Sequence, residues 1–166
     1  MLVSNEESVT AVRELLRREG VLGGVSSGAV RGRGGVDGDD RLVVIPAAVR
    51  SAIAEHARAE LPNEACGLLL LEDDVAVEYV AAENASPSPY FFELKLDPLV
   101  WADLGERDVE QAVVHSHVSS PPRPSRTDVE RIGLWLGQPY VIYSVRLDEL
   151  AAWRITDGGI EPISLA

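Results

Sequence analysis

Six consecutive residues, Cys66-Gly67-Leu68-Leu69-Leu70-Leu71, carry no polar side chain. A strand that is apolar on both faces needs cover on both faces, the position of a buried strand in a sheet packed between layers. Around this run the chain alternates strand-like and helix-like segments. Leu42–Ile45 reads as a short apolar strand. Pro46 then opens a helix to about Leu61, with Val49, Ile53 and Ala57 on one face, because proline is tolerated in a first helical turn. Val75–Ala82 reads as a strand pairing back onto Cys66–Leu71 across the Glu72-Asp73-Asp74 turn. Tyr90–Leu94 is strand-like, and Asp97–Gly105 reads as a short helix with Asp97 as its cap and Pro98 in first position. Gln111–His117, Pro139–Leu147, Ala151–Thr156 and Ile160–Leu165 read as strands, and Ser125–Leu136 as a helix. Interspersed strands and helices predict an α/β fold, a sheet sandwiched by helices.

Upstream, residues 31–40 read RGRGGVDGDD. Gly, Arg and Asp with one Val cannot pack a core, so this stretch is predicted to be a flexible linker. It separates an N-terminal piece, residues 1–30, from a domain over residues 41–166. In the first piece Val9, Val12, Leu15 and Leu16 recur at helical spacing and Gly20 follows as a stop.

The sequence holds 15 basic and 27 acidic residues, a net charge of −12. Residues 41–166 carry 10 basic and 20 acidic residues of that total. A phosphate-binding surface needs a basic stripe, so nucleic acid is not an expected partner. No apolar run approaches the roughly 18 residues of a membrane helix. The start, MLVSNEESV, is acidic and polar, unlike a secretion signal. A cytoplasmic location is therefore the expectation. Cys66 is the only cysteine, which rules out an internal disulfide and a zinc ribbon.

The segment richest in chemistry is His115-Ser116-His117-Val118-Ser119-Ser120-Pro121-Pro122-Arg123-Pro124-Ser125-Arg126-Thr127-Asp128. Residues two apart on a strand face the same way, so the two imidazoles can converge. Asp128 falls in the first turn of the next helix, and the loop can bring its carboxylate back as a third ligand. Two histidines and a carboxylate suit Zn²⁺ with its fourth position left open, the catalytic arrangement. Taken alone, His-x-His also fits two ordinary core or surface histidines. Ser125-x-x-Asp128 also fits a capping box, with Ser125 as N-cap and Asp128 near the third helical position. The cap and the ligand readings are compatible, since a cap fixes the carboxylate.

The joint spacing His-x-His-x7-Ser-x2-Asp resembles the zinc motif of the JAMM/MPN+ metallopeptidases. That family places a glutamate upstream, followed by x-Cys-Gly and an apolar strand, and here Glu64-Ala65-Cys66-Gly67-Leu68-Leu69 matches. The resemblance implies a mixed β-sheet flanked by helices, of cytidine-deaminase-like architecture. It implies His115, His117 and Asp128 as zinc ligands, Glu64 as general base and Ser125 as a donor to the oxyanion. Ser116 faces the opposite side of its strand and Cys66 sits in the core run, so neither is expected in the chemistry. NASPSPYFFEL with the loop after His117 is similar to enzymes that release cysteine from a ubiquitin-like sulfur-carrier protein. This covers about residues 42–160 and implies a carrier ending in Gly-Gly, joined to cysteine, as substrate. Arg123 or Arg126 would be available to pair with the cysteine carboxylate, or to lie solvated in the loop. Residues 6–30, with Gly24-Val25-Ser26-Ser27-Gly28-Ala29, resemble the late part of pyridoxal-phosphate-dependent cysteine synthases. They lack the Schiff-base lysine and phosphate loop, so the resemblance implies a remnant and makes a cysteine synthase a candidate partner. Two alternatives stand beside this reading: cleavage of another ubiquitin-like tail, and a non-catalytic scaffold of the same fold.

Overall fold

The structure is a computed structural model that describes residues 41–166. The N-terminal piece and the linker read from the sequence lie outside the described residues. The elements in chain order are β1 (Leu42–Val43), α1 (Ala47–Ala59), β2 (Cys66–Glu72), β3 (Val75–Asn84), β4 (Leu94–Lys95) and α2 (Pro98–Glu106). They continue with β5 (Glu110–His117), α3 (Arg126–Glu130), a 3₁₀ turn (Gly133–Trp135), β6 (Pro139–Ser144), β7 (Glu149–Thr156) and β8 (Gly159–Leu165). The strands form one mixed sheet in the order β1-β8-β7-β6-β5-β2-β3-β4. β5 runs parallel to β6 and antiparallel to β2.

β2 is central, and both its faces are covered. Leu69 and Leu71 pack with Ile53, Ala54 and Ala57 of α1. Leu68 and Leu70 pack on the other side with Leu104 of α2. A third cluster joins Cys66, Phe92, Val113, Tyr140, Ile142 and Ile155. The β2–β3 hairpin turns at Asp73 and Asp74, both with positive φ (46° and 65°). That is the geometry of a two-residue turn matching the strands' twist, and aspartate tolerates it better than most residues. Gly67 is required by a close approach: a Cβ there would lie 2.5 Å from the Val80 carbonyl oxygen and 2.6 Å from the Tyr79 ring. Pairing between β2 and β3 at this point depends on the missing side chain.

Two segments depart from the sequence pattern. The expected strand Tyr90–Leu94 pairs only at Leu94–Lys95. Just before it, the Asn84 side chain occupies the Phe91 carbonyl and the Glu93 N–H that a longer ladder would use. The expected helix Ser125–Leu136 stops at Glu130. Gly133 adopts φ 52°, a left-handed conformation that ends right-handed helix, and Trp135 then sits in a 3₁₀ turn against both clusters on that face of the sheet. Among the described residues no helix is long and apolar enough to cross a membrane.

Candidate metal centre

The last residues of β5 carry the histidines. Strand alternation puts His115 and His117 on the face of Val113, toward Phe92 and Tyr140, while Ser116 faces the other way. The two Nε2 atoms are 3.2 Å apart. Asp128 enters from the first turn of α3, where the capping box predicted from the sequence is present in full. Ser125 Oγ accepts the Asp128 N–H at 3.1 Å, and the Ser125 N–H donates to Asp128 Oδ2 at 2.7 Å. This cap sets the carboxylate 3.2 Å from His115 Nε2 and 3.3 Å from His117 Nε2. The three potential ligand atoms lie within 4.8 Å of one another, and all three residues are buried.

The hydrogen bonding around this cluster fits a metal. His117 Nδ1 faces the Pro121 carbonyl at 2.9 Å. A carbonyl only accepts, so Nδ1 carries the proton and Nε2 turns a lone pair to the centre. The His115 ring is fully buried and stacks on Phe92, with centroids 4.5 Å apart. Its Nδ1 has no hydrogen-bond partner. The Tyr140 hydroxyl donates to Asp128 Oδ1 at 3.3 Å. Burial and then the Asp128 charge raise this phenol far above its ordinary range, which keeps it a donor. Burial opposes ionisation of Asp128, but the adjoining imidazoles and the Ser125 N–H outweigh it and hold the carboxyl well below its usual range. Burial lowers His115. At His117 burial also pulls downward, but Asp128, the Pro121 carbonyl and the charge of Glu64 prevail and raise it. A buried carboxylate beside two imidazoles, one with its Nε2 lone pair turned to the centre, is a donor set that zinc satisfies.

Glu64 lies two residues before β2. Its side chain is buried, and Oε2 has no hydrogen-bond partner. Burial raises its carboxyl to about 7, with the charge of His117 working downward and that of Asp128 upward. Glu64 is therefore electrostatically coupled to the cluster without belonging to it. Ser116 bears on this indirectly: its Oγ accepts the Ala65 N–H at 2.8 Å and its own N–H donates to the Ala65 carbonyl at 2.9 Å. Cys66 is fully buried, and burial pushes its thiol up to about 12, which suits core packing and not a nucleophile. The third histidine, His56, is on α1 and bonds the Tyr79 hydroxyl.

Neither arginine singled out in the sequence hydrogen-bonds the cluster. Arg126 pairs with Glu130 on the exposed side of α3, and Arg123 lies over the Trp153 ring. The sequence reading passed over Phe92, Tyr140 and the Pro121 carbonyl, which contact the ligands. It also missed Arg131, whose guanidinium lies 4.5 Å over Phe91. Phe92 and Tyr140 line a groove of about 240 Å³ together with Phe91, Leu94, Trp101 and Trp135, and Arg131 is its one cationic side chain. The nearest sequence signal was the aromatic pair Phe91-Phe92.

Comparison with known proteins places the chain among relatives of one family. Over 134 residues the chain is 34% identical to the CysO-cysteine peptidase of Mycobacterium tuberculosis, covering 75% of this chain and 91% of that protein. It is similar to a solved protein from Desulfitobacterium hafniense, with a TM-score of 0.62 and 26% identity over 75% of this chain and 91% of the other. A solved protein from Salinibacter ruber aligns with a TM-score of 0.51 and 25% identity over 75% and 91%. The family model described as prokaryotic homologs of the JAB domain matches residues 46–156. That span takes in Glu64, β5 and the capped carboxylate of α3, and on it the chain belongs to the prokaryotic homologs of the JAB domain.

Proposed function

We propose that this chain is a zinc-dependent peptidase that hydrolyses the amide joining the C-terminal glycine of a ubiquitin-like sulfur carrier to cysteine. The observation that carries the reading is the buried Glu64 carboxylate, its Oε2 unpartnered and its carboxyl raised to about 7, electrostatically coupled to a capped His-His-Asp cluster. His115, His117 and Asp128 would hold the ion. Bound zinc would lower the pKa of a water toward about 7 and polarise the scissile carbonyl.

The remaining steps belong to the chain's own groups. Glu64 accepts the proton that the attacking water loses and delivers it to the nitrogen of the departing cysteine as the C–N bond breaks. The new C–O bond leaves the carrier with a free glycine carboxylate. The Ser125 hydroxyl accepts the Asp128 N–H, so its own proton remains available to the oxyanion, a type of contact worth on the order of 10²–10³ in rate in other hydrolases. The carrier tail enters extended. β4 is an edge strand, and its Leu94 lines the groove, so a tail added to that edge by backbone hydrogen bonds lies along the groove toward the cluster. Support for the substrate class comes from the mycobacterial relative, named for a CysO–cysteine bond.

Incubation of the zinc-loaded protein with a carrier–cysteine adduct, read by intact mass, tests the proposal. The expected result is a carrier lighter by one cysteine residue, with free cysteine released. Cleavage of a different ubiquitin-like tail with the adduct left intact would replace the substrate. Absence of bound zinc after metal loading would point to the scaffold reading.

A further inference from the structure

Asn84 closes β3 and uses its whole hydrogen-bonding capacity on three separate pieces of chain. Nδ2 donates to the Glu64 carbonyl at 2.8 Å and to the Phe91 carbonyl at 3.2 Å. Oδ1 accepts the N–H of Ser86 and of Glu93, each at 2.9 Å. Two carbonyls face one end of the amide and two N–H groups face the other, so only one orientation satisfies the site.

The Glu64 carbonyl belongs to the same peptide unit as the Ala65 N–H, which Ser116 Oγ holds at 2.8 Å. One peptide plane is therefore clamped by side chains of β3 and β5, the two strands that flank β2. Glu64 Oε2 has no partner of its own, so the position of the carboxylate is set through this backbone. The other partners of Asn84 bracket Phe92, which stacks on His115 and lines the groove beside Phe91 and Leu94. Asn84 hydrogen-bonds none of His115, His117 and Asp128.

We propose that Asn84 is a positioning residue that ties the loop bearing Glu64 to the segment 85–93, whose Phe91, Phe92 and Glu93 line the groove, so that a tail held by this wall is in register with the base. The inference rests on the peptidase reading for its catalytic meaning. A misplacement of about 1 Å between a reacting group and its substrate costs on the order of 100-fold. Asn84 acts through Glu64, so its loss falls on turnover before it falls on binding.

Two variants separate the functions of the side chain. Asn84→Asp is isosteric and still accepts the Ser86 and Glu93 N–H groups, but it cannot donate to the carbonyls of Glu64 and Phe91. Asn84→Ala removes all four bonds. Zinc content, kcat and KM on the carrier–cysteine adduct, and hydrogen exchange at Ala65, Ser86 and Glu93 are measured on the full chain. For Asn84→Asp we expect parental zinc, intact protection at Ser86 and Glu93, faster exchange at Ala65, kcat lowered about 10–100-fold and KM within about threefold. For Asn84→Ala we expect protection lost at all three amides and KM raised as well; should it fail to fold, Asn84→Asp carries the test. Parental kcat and Ala65 exchange in Asn84→Asp would overturn the proposal. So would a fall in kcat that tracks a loss of zinc or of folded protein. If the parent does not cleave the adduct, the peptidase reading fails by itself. Ala65 exchange in Asn84→Asp then still decides whether the residue links the two segments.

Discussion

Replacing Glu64 by glutamine separates its two properties, a proton acceptor and a buried acid. Glutamine has the same shape and takes up no proton near neutrality. The ligands His115, His117 and Asp128 are untouched, so Glu64→Gln is expected to keep its zinc and to lose kcat by about 10²–10⁴-fold, the usual contribution of a general base. The metal-free protein gives an independent readout. Burial raises the Glu64 carboxyl from 4.5 to about 7. At 1.36 kcal/mol per pH unit that corresponds to at most about 3 kcal/mol, and residual solvent contact screens it to about 2 kcal/mol. The folded chain binds this proton more tightly than the unfolded chain. The contribution of Glu64 to stability is therefore complete below pH 4.5 and falls as pH rises through about 7. Glu64→Gln carries a fixed cost for burying an amide and no such slope. Denaturant unfolding in EDTA at pH 5, 6, 7 and 8 should show the variant gaining about 2 kcal/mol relative to the parent across the series. A pH-independent difference would refute the buried-acid argument. Turnover near the parental rate would remove Glu64 as the base, and loss of zinc would make it a ligand.

His117→Ala should lose zinc and hydrolysis together while keeping the fold, because two ligands hold a catalytic zinc poorly; stoichiometric zinc by elemental analysis with normal turnover would contradict the assignment. Ser125→Ala should cost roughly 1 kcal/mol through the lost cap and, separately, on the order of 10²–10³ in kcat. A lowered Tm with parental kcat would leave Ser125 a cap and nothing more. Gly67→Ala drives a methyl to 2.5 Å from the Val80 carbonyl oxygen and should destabilise the domain by about 1–3 kcal/mol through strain in the β2–β3 pairing. Thermal melting checks this, and an unchanged Tm would show that Tyr79 and β3 yield without cost.

The parts legible in the sequence are those fixed by short-range chemistry. The run Cys66–Leu71 marked the buried strand because no exposed position could hold four leucines in a row. His115 and His117 share a face because strand alternation leaves no choice, and Ser125 with Asp128 formed its capping box from spacing alone. The segments that departed from their pattern answer to distant partners. The segment Ser125–Leu136 reads as one helix, yet Gly133 turns the chain and leaves Leu134 92% exposed while Trp135 reaches the sheet. Tyr90–Leu94 has a strand's composition, but the Asn84 side chain takes its hydrogen bonds. Tyr140 lies 12 residues beyond Asp128, on β6, and meets it only because β5 and β6 are paired in parallel. No local pattern encodes such a contact.

The pairing of β1 with β8 bears on how the domain tolerates being cut and joined. Leu42 lies opposite Ser164, and the Ile45 N–H donates to the Ala166 carbonyl at 2.8 Å. Residues 41 and 166 therefore emerge together beside the β2–β3 turn, where Val44 bridges Val75. Arg41 pairs there with Asp74 and with Glu110, the first residue of β5, and the five residues from Glu110 to His115 span about 17 Å at roughly 3.3 Å each. A protein grafted at either point hangs from the margin away from the histidines, and a short peptide bridging the two would leave the strand order as it is. The domain thus has the layout of an interchangeable part, with its attachment points at one rim and its reactive groups well inside.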